Sequence, residues 1–169
     1  ASFIQRSDGV WLWPVEEYSI SDWAGCNAYK TPVECYLCKR YRGITHTVTC
    51  EANHTTLYFG HNGIDIPVTY KNVRAMADGK VILQHNVDDN ARGKYIIIEH
   101  QLGNGWSYYS YYQHLNSIAV NYGATVKAGD TIGQSGSTGV GTDAHLHVGL
   151  LLGHSGESNP IGKLEGGPD

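Results

Sequence analysis

Three short stretches of this 169-residue chain set imidazoles and a carboxylate where they could do chemistry together. In DAHLHVGLLLG (143–153), His145 and His147 stand two residues apart at the head of an apolar segment. Alternate side chains leave an extended strand on opposite faces, so the two imidazoles share one face while Leu146, Val148 and Leu150 fill the other. In GHNGIDIPV (60–68), His61 and Asp65 flank Gly63, and a tight turn there would fold the carboxylate back toward the histidine. His114 closes an aromatic run, WSYYSYYQHL (106–115).

These residue types suit a catalytic zinc site. Such a site takes three protein ligands and keeps a fourth position for water, and imidazole and carboxylate donors leave the metal strongly electrophilic. Ligand bonds run roughly 2.0–2.1 Å, whereas alternate Cα atoms on a strand are roughly 6.5–7 Å apart. One histidine of the His145/His147 pair can therefore bind the ion while its neighbour stands beside the water. That neighbour, and His114 from an adjacent strand, would serve as general base or as hydrogen-bond donor to an oxyanion. Zinc lowers the pKa of its water to about 7, within reach of an imidazole.

The elements that must position these groups read as strands. Residues 79–86, 94–101, 106–115, 130–136 and 145–152 are β-rich runs, separated by turn-rich segments such as DDNARG, LGNG and GSTGVGTD. Helical periodicity is almost absent. The expected fold is all-β: a compact antiparallel sheet or sandwich, with the zinc site in a groove and a loop-rich, cysteine-containing N-terminal segment. The chain reads as a single catalytic domain over 1–169, with 1–55 an irregular cover and 56–163 the β core.

Composition bounds the partners. A hydrophobic content of 41% with 17% charged residues is globular, and a net charge of −4 gives no basic footprint for nucleic acid. No apolar run approaches the roughly 18–20 residues that span a bilayer. Cys26, Cys35, Cys38 and Cys50 fall within 25 residues. They fit a disulfide framework, with three pairings open, or a second, structural zinc ion built on Cys35 and Cys38.

The motifs HNGID, SYYQHL and HLHVGL, in that order, resemble the lysostaphin/LytM-type zinc metallopeptidases that cut peptidoglycan peptides. The likeness extends through AMADGKVI, the segment GKYIIIEHQLGNGWSYYSYYQHL, VKAGDTIGQSGSTG and NPIGK, and covers roughly residues 11–163. It implies a zinc-dependent endopeptidase with His61, Asp65 and His147 as ligands to one catalytic Zn2+. His114 and His145 become the catalytic pair, with the base and the oxyanion contact not divided between them. Tyr112, two residues before His114 and on its face by simple alternation, would line the site or touch substrate. The implied partner is a peptidoglycan peptide, the implied location secreted or cell-envelope, and the chain is expected to act as a monomer. The chain departs from the family at TDA before the last motif and at Val148–Gly149 after it, where an aromatic and a glutamate are common. The cysteine segment 26–50 is an insertion.

Other readings carry less. His46, His54, His85, His100 and His154 are taken as surface or locally hydrogen-bonded histidines. Gly139–Ala144 matches a dinucleotide-type glycine pattern but leads into a strand, so it offers no helix N-terminus to a pyrophosphate. No G-x-S-x-G elbow is present. The alternative function is a catalytically inert relative that binds wall peptides or regulates a hydrolase.

Overall fold

A computed structural model describes residues 3–6, 9–17, 19–21, 33–34, 47–48, 63–140 and 143–160. The four cysteines, His61 and most of the N-terminal cover lie outside the described residues. Among the described residues there is no helix. Strand β1 (Phe3–Arg6) pairs antiparallel with β2 (Gly9–Leu12), and β3 (Val33–Glu34) with β4 (Thr47–Val48). The remaining strands form one antiparallel sheet: β5 (Ile64–Ile66), β6 (Asn72–Arg74), β7 (Gly79–His85), β8 (Lys94–Gln101), β9 (Trp106–Ile118), β10 (Thr125–Val126), β11 (Thr131–Ser135) and β12 (Leu146–His154).

The five β-rich runs of the sequence correspond to β7, β8, β9, β11 and β12, which confirms the all-β expectation. Strands β5, β6 and β10 hold only two or three residues each, too few for alternation to register. The order across the sheet is β10-β7-β8-β9-β11-β6, and β12 pairs with both β9 and β5. Both faces of the sheet are buried at its centre. Ile96 and Ile98 enter one cluster with Val81, Tyr112, Leu115 and Val148. Tyr95 and Ile97 enter another with Tyr109 and Tyr111. A strand covered on both sides has no polar face, which is why YIII in β8 shows no alternation.

The entry segment lies over the first cluster. Leu12 N–H donates to the Met76 carbonyl at 2.7 Å, Arg74 N–H donates to that of Pro14 at 2.9 Å, and Val15 is fully buried. Trp11 meets His100 edge-on, with ring centroids 4.9 Å apart.

Strand β9 organises the rest. On one side it pairs with β8. On the other, Trp106–Gln113 pairs with β12 and Leu115–Ile118 with β11, so these two strands meet β9 end to end. The Gly136–His145 bridge joins them across the junction. Opposite that junction β9 carries a bulge. Lys94 pairs with Leu115 and Ile96 with Tyr112, leaving Tyr95 alone to face Gln113 and His114. The extra residue shifts the side-chain phase, and His114 absorbs the distortion at φ 61°, a left-handed conformation that L-residues seldom adopt. Its amide leaves the ladder and donates instead to the Arg92 carbonyl at 3.0 Å.

Candidate active site

The junction of β5, β9, β11 and β12 gathers four of the residues that the sequence singled out. Asp65 on β5 and His147 on β12 are direct cross-strand partners, although 82 residues separate them in the chain. Asp65 Oδ1 lies 2.9 Å from His147 Nδ1 and 3.7 Å from His145 Nε2. The rings of His114 and His145 are 4.5 Å apart, and those of His114 and His147 6.0 Å apart. His145 and His147 share one face of the chain while Leu146 and Val148 enter the core, as alternation requires.

Each imidazole is held by a specific contact. His145 Nδ1–H donates to the Asp143 carbonyl at 2.8 Å, and His114 Nδ1–H donates to that of Thr138 at 2.8 Å. Both bonds leave Nε2 as the basic nitrogen. His147 is turned the other way. Its Nε2 rests against Gly63, where an added Cβ would lie 2.8 Å from that nitrogen, so Nδ1 is the atom presented to Asp65. The Asp65 backbone is fixed too: its carbonyl accepts the Ser21 N–H at 2.8 Å and the Ser21 hydroxyl at 3.1 Å. Burial pushes the His114 pKa down to about 4, against the opposing pull of its bond to the Thr138 carbonyl. At neutral pH this ring is an uncharged proton acceptor.

The donor chemistry of a carboxylate beside an imidazole suits a zinc ion. Two ligand atoms at zinc–ligand distances on a tetrahedral ion lie about 3.3 Å apart, whereas Nδ1 and Oδ1 stand at the hydrogen-bond distance of 2.9 Å and would separate by a few tenths of an ångström to share an ion. Among the described residues no group of three His, Cys, Asp or Glu side chains could hold a metal ion. Asp65 and His147 are the described members of the expected ligand set, and the third, His61, lies outside the described residues.

Tyr112 is the exception to the sequence expectation. It is fully buried in the first cluster, and its hydroxyl accepts the Met76 N–H at 3.0 Å. The bulge at His114 cancels the simple alternation, so His114 joins Tyr111, not Tyr112, beside His147. Tyr111 lies nearly parallel to His147 at 6.1 Å, and it crosses directly over Gly149, its cross-strand partner. An added Cβ at Gly149 would fall within 2.2 Å of the Tyr111 ring. The sequence reading missed Tyr111 and Thr138. The glycine at 149 was a usable sign, since a bare strand position beside an aromatic strand invites a ring to cover it.

The other described histidines stand outside the site. His85 bonds Asp89 at 2.7 Å, His100 is buried with Nε2 2.7 Å from the Ser110 hydroxyl, and His154 stacks on Trp106.

The model of Peptidase family M23 matches residues 59–160. Peptidoglycan DD-endopeptidase ShyA of Vibrio cholerae is 37% identical over 93 residues, 54% of this chain and 20% of ShyA. Glycyl-glycine endopeptidase ALE-1 of Staphylococcus capitis is 35% identical over 88 residues, 52% of this chain and 23% of ALE-1. The chain thus spans about a fifth of the length of these curated relatives. Among solved structures, a zinc-containing peptidase from Vibrio cholerae superposes with a TM-score of 0.59 at 25% identity, covering 89% of this chain and 43% of that one. The catalytic domain of lysostaphin from Staphylococcus simulans gives 0.50 at 30% identity, covering 63% of this chain and 80% of that domain.

Proposed function

The chain belongs to Peptidase family M23, and from that membership we propose that it is a zinc-dependent endopeptidase hydrolysing the peptide stems or cross-bridges of bacterial peptidoglycan. The observation that carries this reading is the approach of Asp65 Oδ1 to His147 Nδ1 at 2.9 Å, with two further imidazoles beside them. In the proposal Asp65 and His147, with His61, hold the ion. A Zn2+ ion there supplies Lewis-acid polarisation of the scissile carbonyl and a water of lowered pKa.

The chain's own residues do the rest. In the neutral ring of His145 and of His114 the proton sits on Nδ1, where a backbone carbonyl accepts it, so Nε2 is the nitrogen left for proton transfer. One takes the proton of the attacking water at Nε2, and the other, as the imidazolium with Nε2 protonated, donates a hydrogen bond to the developing oxyanion. The proton taken up then passes to the leaving amine. Burial holds the His114 pKa at about 4, so the resting ring is neutral at working pH. The whole chain is assigned one catalytic domain, and a peptidoglycan substrate places the protein in the cell envelope or outside the cell.

The test is mass spectrometry of purified peptidoglycans, from walls with and without glycine bridges, after incubation with the protein. New amine ends that vanish in a chelator-treated sample establish the reading and name the bond cut. No release from any wall by zinc-loaded protein would replace it with the inert wall-peptide binder.

A further inference from the structure

Thr138 makes three contacts around His114, and together they assign it a task. Its hydroxyl lies between the paired residues Lys94 and Leu115, at the edge of the bulge in β9. The Lys94 N–H donates to Thr138 Oγ1 at 3.0 Å, and Oγ1–H donates to the Leu115 carbonyl at 2.6 Å. A side chain thus stands in the β8–β9 ladder and satisfies the backbone donor and acceptor there. Only a group that both donates and accepts can fill such a gap, and hydroxyls do so. The third contact is the Thr138 carbonyl, which takes the His114 Nδ1–H at 2.8 Å.

We infer that Thr138 is the positioning residue of His114: its hydroxyl props open the bulge that turns the imidazole toward His145 and His147, and its carbonyl fixes which nitrogen carries the proton. The inference rests on the peptidase reading only in giving His114 a catalytic task. Without the hydroxyl, the Lys94 N–H and Leu115 carbonyl are free to bond each other directly. Closing that gap removes the reason for the extra residue in β9. A regular strand at this point would carry His114 to the opposite face, because side chains alternate with a period of two.

The experiment compares the zinc-loaded wild type with Thr138→Val and Thr138→Ser. Valine keeps the β-branched shape but can neither donate nor accept, so the Lys94 N–H and Leu115 carbonyl must expel it and close on each other or lose their bonds, whereas serine restores the hydroxyl. Long-range 1H–15N correlation spectra of His114 report the protonated ring nitrogen. The expected wild-type tautomer is Nδ1–H. In Thr138→Val a mixture of tautomers appears, and kcat falls about 10- to 100-fold with KM and zinc content little changed. Thr138→Ser returns both the spectrum and kcat toward wild type.

A purely structural role would lower the melting temperature of Thr138→Val while leaving the His114 spectrum and kcat as in the wild type, and that result overturns the inference. Should the valine variant not fold, the wild-type spectrum still decides, because an Nε2–H tautomer contradicts the assignment outright. The nitrogen spectra need no hydrolysis. A wild type with the expected tautomer and no activity on any wall would sink the peptidase reading and leave the role of Thr138 standing.

Discussion

Asp65 and His147 face each other across the β5–β12 ladder, with Oδ1 and Nδ1 2.9 Å apart, while His145 Nε2 stands back at 3.7 Å from the same oxygen. The two histidines of the HLH motif therefore share a face but present different ring nitrogens. One presents Nδ1 beside a carboxylate. The other commits Nδ1 to the Asp143 carbonyl and turns Nε2 toward Asp65.

This difference predicts a split in metal content. His147→Ala and Asp65→Ala should lose zinc on dialysis, as read by elemental mass spectrometry. His145→Ala should retain it while kcat drops by about 100-fold or more, the scale of losing a general acid or base. Equal zinc loss in the two histidine variants would refute the division of roles.

Tyr112→Phe separates core from groove. The variant leaves the Met76 N–H without its acceptor, which costs about 1–3 kcal/mol when the group is buried. Urea unfolding should show that loss, with kcat/KM on peptidoglycan fragments nearly unchanged. Full stability with impaired turnover would put Tyr112 back beside the substrate.

Gly149→Ala tests the cover that Tyr111 provides. A methyl group there collides with the Tyr111 ring, and overpacking of this kind costs about 1–3 kcal/mol. The displaced ring would also disturb His147, which it parallels. In a Tyr111→Leu background the cost of adding the methyl should shrink, and a double-mutant cycle measures that coupling. Independent, additive effects would show that ring and glycine do not interact.

Acid should weaken the fold through His114. Its pKa is about 4 in the folded protein against 6.5 for an unperturbed histidine, so the unfolded chain takes up the proton first as pH falls. Its contribution is complete above pH 6.5 and is lost as pH drops toward 4, amounting to about 2 kcal/mol between pH 7.5 and 5. Burial lowers the pKa of His100 as well, which adds in the same direction. Asparagine tolerates the left-handed backbone at position 114, so His114→Asn is the matched control. Urea midpoints at the two pH values should differ less in this variant than in the wild type. An equal difference in both proteins would locate the acid sensitivity elsewhere.

What the sequence determined by itself is local. Side-chain alternation is a property of a single extended strand, so HLHVGL alone fixes that His145 and His147 share one face opposite Leu146 and Val148. The same holds for the run of β strands and for the apolar stretch in β8. Register is not local. An extra residue in β9 exists only relative to the strands beside it, and nothing in SYYQHL announces that pairing. Counting by twos therefore gave His114 the face of Tyr112, whereas the bulge gives it the face of Tyr111. The approach of Asp65 to His147, the meeting of β11 and β12 along β9 and the contacts of Thr138 were likewise decided by tertiary structure, because strand pairing brings together residues that the chain keeps far apart.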